Sequence, residues 1–270
     1  MIKILYTIPN FITAGSGRVL ANIAEGLDRQ KFEPAVCVSR KGGSIEAELE
    51  AQGIPVIEYP FTVDAKPYPG LLWRANQASK AFRPYNFDLW HSWHYADDYT
   101  EPIIARMAGA KAWVYTKKNM MWGSRAWIVR SFLASRIIAD NYDMPGMFFD
   151  RIWPQKKVRV IHHGVDTVRL KPTTFDREFY RQEHHLPQDG FLVGLVAHLV
   201  PVKGHDDLIA AAAKCPGIQL VFAGRANNLD YLALLQNKVK ELGIGDRVNF
   251  FGNVVHIPEF LTQMDIIVLP

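Results

Sequence analysis

Cysteine is scarce in this chain: of 270 residues, only Cys37 and Cys215 carry a thiol. Two lone thiols exclude a disulfide scaffold, lack the spacing of a metal-ligand set, and suit a reducing cytoplasm. Long apolar runs are missing as well. None approaches the ~20 residues that cross a bilayer, and the apolar start MIKILYTIPN is too short for a signal peptide and reads as a first strand. There is neither an internal repeat nor a low-complexity tract. Charge of one sign is also limited, with a net +4. That mild excess suits anionic small molecules or an anionic membrane surface, and is too diffuse to argue for nucleic acid. What the chain does have is apolar substance: 49% hydrophobic residues against 21% charged, enough for a sizeable core and too much for disorder.

One more absence narrows the function. The first loop, Thr13-Ala14-Gly15-Ser16-Gly17-Arg18, lies between strand-like and helix-like segments. A dinucleotide fingerprint needs a third glycine at position 20, which is Leu20. An NAD-linked oxidoreductase is therefore rejected. Gly15 and Gly17 either let backbone N–H groups approach a phosphate or sugar hydroxyl, or only permit a tight turn.

Apolar runs at 2–8, 33–38, 55–58, 87–91, 111–115, 136–140 and 158–161 predict strands. Helical periodicity falls between them at 18–27, 44–52, 69–82, 101–107 and 124–134, with Ser44 as an N-cap and Gly53 as a stop. Past Asp166 the pattern breaks at Lys171-Pro172, and 175–184 reads as a polar helix. Alternation restarts at Phe191, with strands at 191–197, 218–223, 248–251 and 266–269 and helices at 205–214, 229–242 and 257–263. The class is α/β. Break and restart predict two Rossmann-like domains, 1–168 and 169–270, with a cleft between them. The second has fewer strands and stops at Pro270 directly after one, so it is expected to be incomplete and the chain to be part of a longer protein.

Doubly wound sheets bind ligands at the carboxyl ends of their strands. Three stretches stand there. In Leu192–Lys214 a buried strand leads through Pro201 and Lys203-Gly204 into an Ala-rich helix with Asp206 and Asp207 in its first turn. A helix N-terminus beside a lysine attracts phosphate, although the same features also describe an ordinary strand-to-helix connection. Asp88–Asp98, DLWHSWHYADD, gathers His91 and His94 among tryptophans and aspartates. These histidines are either candidate bases or satisfied members of an aromatic-rimmed loop, and their spacing is not that of zinc ligands. Lys117-Lys118-Asn119 would suit an anion. Beyond it, Trp122, Arg125, Trp127, Arg130 and Arg136 mix bases with aromatics, as a peripheral membrane or lipid-acceptor face does, while part of 124–134 must be core.

Four motifs together resemble the GT-B-fold glycosyltransferases of the group 1 type. The run Ala197-His198-Leu199-Val200-Pro201-Val202-Lys203-Gly204, continued through Leu208-Ile209-Ala210, is similar to the family pattern G-R-L-V-x-x-K-G-x-x-x-L-I-x-A. Val160-Ile161-His162-His163-Gly164-Val165-Asp166, with Leu170 and Pro172, resembles its hinge. Ala14–Val19 resembles its first loop, and Val248, Phe250, Gly252 and Asp265–Pro270 resemble its tail.

The resemblance implies a metal- and cofactor-independent transfer of a sugar, with retention, from a UDP- or GDP-sugar to a saccharide or lipid-linked hydroxyl acceptor. The enzyme would be cytoplasmic, in polysaccharide or lipopolysaccharide synthesis, with peripheral contact to the inner membrane face as an option. The donor would sit mainly on the second domain and the acceptor on the first. Candidate donor contacts are Gly15, Gly17, His198, Lys203, Gly224 and Asn253, with Lys203 neutralising the diphosphate. Candidates for the catalytic group are His91 and Lys117. His198 stands where the family has an arginine, and a partly protonated imidazole stabilises charge less. The family's E-x(7)-E motif would lie beyond Pro270, so the chain alone is expected to be inactive or nearly so. The alternative is a non-catalytic nucleotide-sugar or glycan binding module.

Overall fold

Ile2–Ile8 (β1) forms from a run that is apolar apart from Lys3 and Thr7, and its apolar residues alternate between two cores as a strand's period of two requires. Leu5 faces one hydrophobic cluster, while Ile4, Tyr6 and Ile8 face the other. A computed structural model describes residues 1–12, 14–150, 153–168, 170–171, 176–254 and 256–270. The chain separates into two units, Met1–Val165 and Asp166–Pro270.

In the first unit β1 is joined by Phe32–Val38 (β2), Val56–Glu58 (β3), Leu89–Ser92 (β4), Ala112–Lys117 (β5), Arg136–Ala139 (β6) and Val158–Val160 (β7). These make one parallel sheet in the order β3-β2-β1-β4-β5-β6-β7. Between the strands run Ala14–Glu25 (α1), Ser44–Ala51 (α2), Leu71–Ser79 (α3), Thr100–Met107 (α4) and Ala126–Leu133 (α5). Val36 and Val38 pack with Leu20 and Leu49 of α1 and α2. Trp90 and Trp113 pack with Ala75 and Ile104 of α3 and α4 on the other face. Helices cover both faces, as a parallel sheet demands. The strand order reverses between β1 and β4, which opens a crevice at their carboxyl ends.

The second unit repeats the plan. Phe191–Val196 (β8), Ile218–Ala223 (β9), Val248–Gly252 (β10) and Ile266–Ile267 (β11) pair in parallel in the order β10-β9-β8-β11, so the switch point lies between β8 and β11. Arg177–Glu183 (α6) and Ile257–Gln263 (α9) cover one face; His205–Ala213 (α7) and Leu229–Glu241 (α8) cover the other. Asp265, just before β11, ties β8 to α6, accepting from the Leu192 amide at 2.7 Å and from Arg177 at 2.7 Å. Burial alone would raise its pKa, but these bonds outweigh burial and hold the carboxyl below its ordinary value.

Both units are Rossmann-like. The strand positions match those expected to within a few residues, and the helix starts differ more. α1 begins at Ala14, not at 18, so Gly15 and Gly17 occupy a helical first turn and not a loop. Helix propensity opposes this, yet a Cβ on Gly17 would meet the Phe11 ring at 2.8 Å, so only glycine lets α1 start so close to that ring. Ser44 is the first helical residue of α2 and not its cap. Gly43 holds the cap position without a side-chain hydrogen bond, and Glu46 reaches back to the Gly42 amide at 2.9 Å. A π-helical turn at Pro145–Phe149 had no sequence signal. Thr13 of the first motif, Pro172 of the hinge, Arg169 beside the expected boundary and Phe175 of the expected polar helix lie outside the described residues.

Candidate active site

The carboxyl edge of the second sheet is built from glycines and one lysine. β8 ends by bonding the Ala197 amide to Ala223 O at 2.9 Å and the Leu199 amide to Arg225 O at 3.1 Å. The chain then turns through Pro201–Lys203, where the Lys203 amide reaches Val200 O at 3.0 Å. Gly204 closes the turn at φ +67, a left-handed conformation that favours glycine. A Cβ there would also lie 2.6 Å from Pro270, three residues past β11, so glycine lets the head of α7 approach the chain leaving the neighbouring strand at the switch point.

The first bond within α7 runs from the Leu208 amide to Gly204 O at 3.0 Å, leaving the His205, Asp206 and Asp207 amides ahead of the ladder. Lys203 is half-buried beside them. Among the described residues no carboxylate lies within ion-pair distance of it. Asp206, whose charge would oppose an anion, is drawn to Lys238 at 2.5 Å. A free lysine beside unpaired amides at a switch point can hold a phosphate.

The other donor candidates gather on the same edge. Gly224 follows β9, donates its amide to Gly252 O at 2.6 Å, and presses against the Ala197 carbonyl. Asn253 follows β10 and is exposed. His198 follows β8, half-buried, with a buried Nδ1 that meets no hydrogen-bond partner. Gly15 and Gly17 belong to the first unit, where Gly15 has nothing within 4 Å of its Cβ position and Gly17 is packed against Phe11.

The carboxyl edge of the first sheet carries a continuous polar and aromatic row. The Tyr95 hydroxyl donates to Ser16 Oγ at 2.5 Å, joining the loop after β4 to the first turn of α1. Lys118 lies over Tyr95 at 4.0 Å and Trp93 at 4.8 Å, and donates to Trp93 O at 2.5 Å. Burial lowers its pKa to about 7. Trp93 stacks on His163 at 5.5 Å, and His163 Nε2 meets Asp140 at 3.0 Å.

The two candidate catalytic residues face elsewhere. His91 is buried within β4, shares a 2.8 Å hydrogen bond with Thr116 Oγ1, and packs on Tyr6 and Trp93. Burial, helped by the Lys118 charge, lowers its pKa to about 3, so it stays neutral at pH 7. Lys117 is buried too. It donates to Asn119 and to Met121 O (2.8 Å), and its ammonium lies over Trp122 at 4.1 Å. Burial lowers its pKa to about 8. Its bonds hold the loop after β5, while Lys118 faces the edge.

A charged cluster under this edge escaped sequence reasoning. Glu101 and Arg130 are both fully buried, 3.5 Å apart. Glu101 accepts from Thr7, from Trp90 Nε1 at 3.0 Å and from Ser92 at 2.6 Å. Arg130 donates to Ser92 Oγ at 2.8 Å and to Asp98 O at 2.6 Å, and so fixes the loop after β4. Nothing local marks the pair, because its members stand 29 positions apart. Of the residues that mix bases with aromatics after β5, Arg130 is interior and Trp122 and Trp127 pack against the core, so these three belong to the part of the segment that is core. Among the described residues no cluster of three or more His, Cys, Asp or Glu could hold a metal ion.

Comparison with known proteins gives this geometry its relatives. Residues 13–169 match the model of Glycosyltransferase Family 4, and 176–270 match that of Glycosyl transferases group 1. A D-inositol 3-phosphate glycosyltransferase of Mycobacterium avium is 32% identical over 132 residues, 42% of this chain and 30% of that protein. The same-named protein of Mycolicibacterium smegmatis is 36% identical over 98 residues, 36% of this chain and 22% of that protein. The chain thus spans less than a third of the length of these curated relatives. HepE of Anabaena, crystallised with UDP and glucose, superposes with TM-score 0.80 at 24% identity, over 100% of this chain and 74% of that one. A glycosyltransferase of Rickettsia africae gives 0.82 at 17% identity, over 99% and 72%. These likenesses establish the GT-B fold. With family models matching both of its units, the chain belongs to the Family 4 and group 1 glycosyltransferases.

Proposed function

We propose that the protein transfers a hexose, with retention, from a nucleoside-diphosphate sugar to a hydroxyl acceptor. The observation that carries this reading is Lys203, free of any carboxylate partner among the described residues, beside the unpaired first-turn amides of α7 at the switch point of the second sheet. That group would take the donor diphosphate and stabilise it as it leaves, the kind of term that commonly dominates transfer chemistry. Gly224, Asn253 and His198 on the same edge would complete the donor contacts of this unit. UDP bound to HepE supports a uridine donor, and GDP-sugars are the alternative.

Acceptor binding would fall to the row Ser16, Tyr95, Lys118, Trp93 and His163 of the first unit. Saccharides and lipid-linked sugars are the acceptors we favour. The names of the curated relatives add an inositol phosphate to the panel to be tried, and Lys118 would suit its charge. A lipid-linked acceptor would bring the protein to the inner face of a membrane.

Calorimetric titration with UDP- and GDP-sugars tests the proposal, and absence of binding to all of them overturns it. His198, in place of a permanent cation, favours a second reading as a binding module without turnover. Binding of a donor that is neither transferred nor hydrolysed with any acceptor in the panel would select that reading.

A further inference from the structure

α5 buries an arginine and a serine while exposing three large apolar side chains. Its inward stripe is Trp127, Arg130, Ser131 and Ala134, at the i, i+3, i+4, i+7 spacing of one helix face. Arg130 and Ser131 are fully buried there because Glu101, Ser92 and Tyr115 hydrogen-bond to them. The outward stripe is Arg125, Val129, Phe132, Leu133 and Arg136. Val129 is 44% exposed, Phe132 46% and Leu133 38%. A surface helix normally shows the reverse arrangement, and contiguous exposed apolar groups rimmed by charge mark an interaction site.

The stretch of chain that carries this stripe is strongly net positive. From residue 117 to 160 the chain carries nine lysines and arginines against three aspartates, a net +6, whereas the whole chain carries +4. The remainder is therefore net −2, and the entire positive excess lies in this segment. Arg125 stands at the head of α5 and Arg136 follows its end. Lys157, packed beneath that end, donates to Phe132 O at 2.7 Å and Ala134 O at 2.8 Å. Arg125, Arg136 and Lys156 are exposed, and among the described residues none has a carboxylate within ion-pair distance.

We propose that the outward face of α5 docks on an anionic lipid bilayer, with Val129, Phe132 and Leu133 entering the interface and Arg125, Arg136 and Lys156 meeting the headgroups. Charge complementarity selects this occupant. Apolar side chains between unpaired cations match a surface that is negative outside and apolar beneath, and a neutral protein face would leave the cations unanswered. No helix among the described residues is long and apolar enough to cross a membrane, so the contact lies in the plane of the interface. The inference deepens the peripheral membrane reading above and replaces the residues first assigned to it, since Trp122, Trp127 and Arg130 turn inward.

The test is co-sedimentation of the protein with vesicles of phosphatidylglycerol and phosphatidylcholine in equal parts, against phosphatidylcholine alone. Binding to the anionic vesicles should be at least tenfold tighter, and should fall when salt rises from about 0.1 M to 0.5 M as screening shortens. The triple variant Val129→Ser, Phe132→Ser, Leu133→Ser should lose at least tenfold in binding with an unchanged melting temperature, because its sites are exposed. Wild-type protein that stays in the supernatant, or a triple variant that binds as well as wild type, overturns the proposal. So does a dimer that the triple variant dissolves while neither form binds vesicles, which would make the face a contact between copies. Donor titration needs no vesicles, so glycosyl transfer and membrane docking fail separately.

Discussion

Gly224 and Ala197 approach so closely that a Cβ on Gly224 would fall 1.8 Å from the Ala197 carbonyl oxygen. The contact joins the ends of β9 and β8, and the Gly224 amide extends it to β10 through Gly252 O. Neither partner can retreat, since both are backbone held in the sheet. Gly224→Ala should therefore cost about 3 kcal/mol or more, at the upper end for overpacking, measured by urea unfolding. A loss below about 1 kcal/mol would mean that the strand ends relax freely.

Lys203 gives the sharpest functional prediction. With the donor phosphate as its proposed partner, Lys203→Ala should weaken nucleotide-sugar binding more than tenfold, above ~1.4 kcal/mol, with little change in stability. Arginine at this position should restore part of the loss, because charge survives while shape does not. Equal calorimetric affinities for wild type and Lys203→Ala would remove this lysine from the site.

Much of this was legible in local pattern. β1 could be read from residues 2–8, and Lys203-Gly204 from the change between strand and helix periods. What stayed hidden depends on contacts distant in sequence. Position 130 looks like a surface arginine in any reading by polarity, until Glu101 supplies a buried partner from another helix. His91 looks like a strand-end base, and only its neighbours Tyr6, Trp93 and Thr116 turn it into a core residue. Gly15 and Gly17 argue for a loop where α1 starts, and the contact with Phe11 that explains Gly17 is tertiary.

His91 should act on acid stability. Its folded pKa of about 3 lies below the ordinary 6.5, so between these values the unfolded chain binds more protons. Stability from this group is full above pH 6.5 and falls as pH drops toward 3. The slope is up to about 1.4 kcal/mol per pH unit. His91→Phe should flatten the pH dependence of unfolding free energy across that window, at some constant cost for the unpaired Thr116 hydroxyl. Denaturant unfolding at several pH values checks it, and an unaltered slope would show that His91 titrates alike in both states.

Glu101 and Arg130 make the last case. Removing one partner of a buried pair strands the other charge, which typically costs about 3–5 kcal/mol. Glu101→Gln keeps the shape and part of the hydrogen bonding to Thr7, Trp90 and Ser92, but leaves the guanidinium uncompensated. Arg130→Met leaves the carboxylate uncompensated and frees the Asp98 carbonyl. The double variant strands no charge, so its loss should be smaller than the sum of the single losses by about 1–3 kcal/mol. Arg130→Met should also loosen the loop after β4, seen as faster amide exchange at residues 93–98 than in Glu101→Gln at matched stability. Additive losses in the double-mutant cycle would show that the two charges are held independently, the carboxylate by its three donors and the guanidinium by the loop and the rings of Trp113 and Tyr115.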